Sequence, residues 1–138
     1  MIPRARAALN DLAGRLGARV IPELADPFSQ ADTGLISLLM SLLGEELERG
    51  VASRIEDGKG LKKLFSEAPA EAPGADERER FNSSDPDSLT LSAVTDWLDQ
   101  GLALLIDLHA WAEEADEDLN RRIWDFLVEH TERHKFDF

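Results

Sequence analysis

The sequence predicts an all-α fold, a four-to-five-helix up-and-down-like bundle with one long crossover connection, and three observations predict it. Leu, Ala, Glu, Asp and Arg dominate while Tyr is absent, and most of those residues favour helix. Apolar residues recur at helical spacing along several stretches, and no run alternates strictly as a half-buried strand requires. At 138 residues the chain has the size of one domain with a single core, so 1–138 reads as one unit.

The first helix is expected from about Arg4 to Arg19, with Leu9, Leu12 and Leu16 on one stripe. Gly14 and Gly17 weaken it, and Pro22 and Pro27 enclose a turn. The second helix is capped by Asp32 or Thr33. Leu35, Ile36, Leu38, Leu39, Met40, Leu42 and Leu43 then cover more than one face, which predicts burial on several sides. The pattern narrows to Leu43, Leu47, Val51 and Ile55, and Gly58 and Gly60 are expected to end or bend the helix before a last turn at Leu61–Phe65. Residues 67–84 mix Ala, Pro, Gly and alternating charge and read as an internal flexible connection.

Asp85 followed by Pro86 has the form of a helix cap and first residue, and starts the third helix. That helix carries two apolar stripes, Leu91–Val94–Leu98–Leu102–Leu105 and Trp97–Leu104–Leu108–Trp111. The acidic knot Glu113, Glu114, Asp116, Glu117 and Asp118 marks a turn, after which a fourth helix points Leu119, Ile123, Phe126, Leu127 and His130 inward. Arg133, His134 and Lys135 suit its C-terminal dipole, and Phe136 and Phe138 give the tail apolar weight for docking.

Composition bounds the function. Without cysteine there is neither a disulfide framework nor thiolate chemistry. No apolar run approaches the roughly 20 residues of a membrane span, and Met1–Val20 lacks a secretory apolar region, so a cytoplasmic protein is expected. The net charge is −13, yet residues 1–22 hold four arginines against Asp11 alone, whereas residues 85–138 hold 14 acidic and 4 basic side chains. So acidic a body repels phosphate backbones and anionic lipid, which argues against nucleic-acid and membrane partners. The basic first segment instead suits acidic helices, in the same subunit or a neighbour.

His109 and Glu113 stand four apart, as do His130 and His134, so each pair shares a helix face, and these four residues are the candidate metal ligands. An HxxxE followed by HxxxH resembles part of the hemerythrin pattern, which implies a helical bundle around a di-iron centre. That pattern takes a further histidine from an earlier helix, whereas residues 1–108 contain none. A turn near Asp116 would also set His109 and His130 roughly 10 Å apart along the axis at 1.5 Å per residue. Glu113, Glu114 and Glu117 resemble the first half of the magnesium motif of all-α nucleotide pyrophosphohydrolases, but the ExxD partner is missing: Glu129 is followed three later by Glu132, and Glu132 by Lys135. No G-x-S-x-G elbow, phosphate loop or dinucleotide fingerprint occurs.

These readings make the chain a non-enzymatic, self-associating interaction module with no cofactor. Its partner would be a second copy in a homodimer, or another protein. Trp97, Leu104, Leu108, Trp111 and Trp124 are the expected interface, since aromatics anchor such surfaces and a doubled apolar face can serve two subunits. The alternative is a bundle that binds a metal or small ligand among Glu45, Glu46, His109 and Glu113.

Overall fold

The structure, a computed structural model, describes residues 4–137, so the expected docking of Phe138 lies outside it. Five α-helices account for the fold, with no strand among the described residues: α1 (Ala5–Arg15), α2 (Pro27–Glu67), α3 (Ala75–Asn82), α4 (Leu91–Ala115) and α5 (Glu117–Arg133). The chain divides into two compact units, one reaching to Gly50 and the other Val51–Asp137.

In the first unit, α1 passes into a π-helical turn, Leu16–Val20, and a 3-10 turn, Ile21–Glu23, before the start of α2. That start is Asp26, not Asp32 or Thr33. Its carboxylate accepts from the Ser29 amide at 2.9 Å and the Ser29 hydroxyl at 2.7 Å, while Pro27 takes the first helical position, where a missing N–H costs nothing. These bonds hold the Asp26 carboxyl below its ordinary value of 3.8, the Ser29 hydroxyl contributing most.

The two helices of this unit run antiparallel and meet through small groups. A methyl group at Gly44 would lie 3.5 Å from Arg6 Cα, and the Ser37 hydroxyl donates to the Ala13 carbonyl at 2.9 Å. Ala13 is the one buried apolar residue of this unit among those described. The expectation that the leucine run of α2 is buried on several sides is therefore corrected. Leu35, Leu39, Leu43 and Leu47 are 47–56% exposed, because the preceding segment meets the opposite side of α2: α1 at Ser37 and Gly44, and Ile21 at Gly34. At about 100° per residue those three fall within a sector of about 80°.

The second unit is a bundle of the C-terminal part of α2 with α3, α4 and α5. Its core joins Leu61, Leu64 and Phe65 to Phe81, Trp97, Leu98, Leu105, Leu108, Ala112, Leu119, Ile123 and Phe126. Gly58 and Gly60 do not end α2, which continues to Glu67. They are sockets: a Cβ at residue 58 would sit 2.0 Å from the Trp97 ring, and one at residue 60 would sit 2.9 Å from the Phe126 ring. Gly101 of α4 serves likewise, with Phe81 at 2.5 Å and Leu61 at 2.8 Å from the missing methyl. Phe81 stacks on Trp97 with ring centres 5.2 Å apart and meets Phe65 edge-on at 5.6 Å.

The connection expected to be flexible, residues 67–84, contains α3 and two of the most buried side chains in the unit, Arg78 at 3% and Phe81 at 5% exposure. Gly74 turns the chain into α3 with φ of 71°, a left-handed conformation glycine adopts without strain. Arg78 then donates to the carbonyls of Pro69 and Ala72 at 3.1 Å and of Phe65 at 3.5 Å. It thereby satisfies acceptors at and beyond the end of α2 that no helix would supply with donors.

The third expected helix starts at Leu91 under a Thr90 cap, not at Pro86. Asp85 instead pairs with Lys62, whose ammonium donates to its carboxylate at 3.0 Å and to the Ser84 carbonyl and lies over the Trp97 ring. A single residue, Asp116, separates α4 from α5 and caps the latter through the Leu119 amide at 2.9 Å.

Two outcomes test this description. Gly58→Ala is expected to destabilise the protein by about 1–3 kcal/mol, the cost of overpacking a filled core. Gly14→Ala, whose methyl would meet nothing within 4 Å, should be neutral or stabilising by up to about 1 kcal/mol; urea unfolding measures both. For Asp26 the folded value lies below the unfolded one, so its cap is fully present above pH 3.8 and is lost as pH falls through the lower folded value. Carbon chemical shifts of Pro27–Gln30 should follow that loss, and Asp26→Asn, which keeps an acceptor, should remove the pH dependence.

Candidate functional site

The polar group that converges most closely is built on two helices of the second unit. The last turn of α5 carries His130 and Arg133, and His134 caps its C-terminus, so the three, at i, i+3 and i+4, gather on one side of the helix end. Cations there suit the helix C-terminus. From α2 comes Asp57, whose side chain is 0% exposed.

An isolated carboxylate so buried would cost several kcal/mol, and its position requires partners. Oδ2 of Asp57 lies 2.9 Å from His130 Nδ1 and 2.6 Å from His134 Nε2, and Oδ1 accepts from Arg133 Nη1. With both imidazoles neutral, the proton sits on Nδ1 of one ring and Nε2 of the other. The rings tilt against each other at 49° with centres 4.6 Å apart, and His130 stacks on Phe126 at 6.0 Å. Asp57, His130 and His134 present three donor atoms that all lie within 4.8 Å of one another, and no other such group of three occurs among the described residues.

The candidates read from the sequence fall in different places. His130 and His134 share Asp57. His109 is bound elsewhere, with Nε2 3.1 Å from Asn120 Oδ1, Glu113 at 3.9 Å and the Trp124 ring edge-on at 5.3 Å. That pair closes the junction of α4 and α5, and neither residue belongs to the Asp57 group. Of the expected interface residues, Trp97 and Leu108 are committed to the core at 7% and 0% exposure. Leu104 and Trp111 pack against that core from its margin, and Leu104 also lines an open recess with Phe81, Gln100 and Arg80. Trp124 remains half exposed.

Asp57 and Arg133 were not among the residues singled out from the sequence. Asp57 nonetheless carries a signal. It stands four before Leu61, seven before Leu64 and eight before Phe65, so an acid occupies the apolar stripe that faces the core. A lone carboxylate on such a stripe implies a cationic or metal partner from another element.

Comparison with protein-family models, with curated proteins and with solved structures finds no match for this chain. No helix among the described residues is long and apolar enough to cross a membrane. Function therefore rests on the residues themselves.

Truncation of Asp57 to Ala would free Arg133 and both histidines. The expected loss is about 2 kcal/mol, below the ~3–5 kcal/mol of a fully buried pair because the α5 partners reach solvent. Asp57→Asn, which keeps one acceptor, should lose less, and denaturant midpoints of the two variants decide.

Proposed function

We propose that the protein is a non-enzymatic, self-associating helical module and that its contact surface is the leucine face of the first unit. One observation carries this reading. Nine large apolar side chains of the first unit are at least 39% exposed, among them Leu12, Leu35, Leu39, Leu43 and Leu47, with Phe28 at 85%. Single exposed leucines need no explanation, but a contiguous apolar face marks an interaction surface.

The occupant is a second copy of the same hairpin. Two such hairpins, apolar faces together, make a four-helix bundle, the commonest way two helix pairs bury a shared stripe. Each half-exposed leucine retains about 1 kcal/mol of unrealised burial. Five such leucines in each of two copies contribute about 10 kcal/mol, of the same order as the ~4–15 kcal/mol that association costs in lost freedom. This occupant moves the interface away from Trp97 and Leu108 and keeps the homodimer. A cytoplasmic setting suits a chain without cysteine and completes the reading.

Sedimentation velocity on the full chain tests it. A dimer is expected, with Leu39→Glu/Leu43→Glu shifting it to a monomer that keeps its helical circular dichroism and its Trp97 environment. A parent protein that stays monomeric at high micromolar concentration would overturn the proposal, as would a dimer that survives the double substitution.

A further inference from the structure

We propose that Asp57, His130 and His134 form a binding site for a divalent transition metal, with zinc(II) as the ion it fits. The site is independent of the leucine face, since all three residues belong to the second unit.

The donor set decides the ion class. Two imidazoles and one carboxylate suit zinc and its neighbours, whereas calcium and magnesium demand oxygen ligands throughout. Two histidines four apart on one helix face are a recurrent means of presenting two nitrogens to one zinc ion. The third ligand comes from another helix, so a bound ion would tie α2 to α5.

Distances agree with this. Bonds of about 2.0–2.1 Å in a tetrahedron set neighbouring ligand atoms about 3.3 Å apart. The histidine nitrogens stand 2.9 and 2.6 Å from Asp57 Oδ2, and the three atoms lie within 4.8 Å of one another. Entry of the ion needs outward movement of the rings by several tenths of an ångström. At neutral histidines it shifts the proton to the other ring nitrogen, His130 Nε2 and His134 Nδ1, with no net loss from the imidazoles.

Arg133 plays the supporting part. It holds Asp57 Oδ1, which leaves Oδ2 for the ion and fixes the carboxylate plane, as partners of metal-bound carboxylates do. Its positive charge weakens the ion's hold, and a chain of net charge −13 counteracts it by concentrating cations nearby. The histidine side chains are 29% and 26% exposed, so the fourth position opens to water.

The test titrates chelator-treated full-length protein with zinc(II) and with cobalt(II) at neutral pH. One ion per chain, the visible bands of four-coordinate cobalt and a raised melting temperature are expected, with no response to magnesium. His130→Gln and His134→Gln should each weaken zinc binding at least tenfold, and His109→Gln should leave it unchanged. Should the histidine variants fail to fold, imidazole nitrogen shifts in the parent decide: zinc must move those of His130 and His134 and spare His109. Absence of four-coordinate cobalt, or binding that survives the joint loss of His130 and His134, overturns the site. Leu39→Glu/Leu43→Glu should bind zinc as the parent does, which separates failure of this site from failure of the self-association reading.

Discussion

Trp97 reaches the axis of α2 because residue 58 has no side chain, and most of the second unit follows from that contact. With its ring where a Cβ at Gly58 would stand, Trp97 offers a flat face to Phe81 and its indole N–H to the Ser84 hydroxyl at 3.0 Å. Phe81 in turn fills the hollow left by Gly101 and meets Phe65 edge-on. The short helix α3 is therefore held by an aromatic at its C-terminal end and, through Arg78, by three carbonyls at and after the end of α2. Lys62 lies over the same indole and donates to the Ser84 carbonyl and the Asp85 carboxylate. Glycine in a helix interior costs about 0.5–1 kcal/mol relative to alanine. Here that cost is set against close ring contacts that no larger residue permits.

The helical class and the turn at Asp116 were legible in the sequence, because period and capping are local properties. What failed was local chemistry read where a tertiary partner outbids it. Two Asp-Pro pairs occur, at residues 26–27 and 85–86. The first was read as part of a turn and the second as a helix start, yet Asp26 caps a helix while Asp85 pairs with Lys62. Nothing within either dipeptide separates them; they differ in the partner each carboxylate meets, Ser29 for Asp26 and Lys62, 23 residues earlier, for Asp85. Residues 67–84 hid their structure for a related reason. A stretch rich in Ala, Pro, Gly and charge has the composition of a linker, and the arginine that orders it counts towards that composition until the carbonyls it binds are known.

The Asp57 group was half legible. His130 and His134 announce themselves by spacing, since residues four apart share a helix face whatever the fold. Their partner lies 73 and 77 residues earlier, and only its position on the core-facing stripe of α2 betrays it. His109 and Glu113 have the same spacing and go elsewhere, because the next helix supplies Asn120 within hydrogen-bond reach of His109. Spacing places side chains on a face, and the opposing element decides which of them meet.

Apolar stripes are ambiguous in a more general way. The second stripe of α4 read as a surface shared between subunits, and Leu108 with Trp97 proves to be core. The leucines of α2 read as core, and they stand open. Hydrophobic period shows where an apolar face lies on a helix and is silent about what covers it. The missing information was in the opposite face. Ser37 and Gly44 mark the side on which α1 approaches, and a helix whose small residues take the neighbour within the chain must present its leucines away from it. Small residues on one side and leucines on the other thus form a single pattern: the first brings two helices of one chain together, and the second leaves an apolar face open to water.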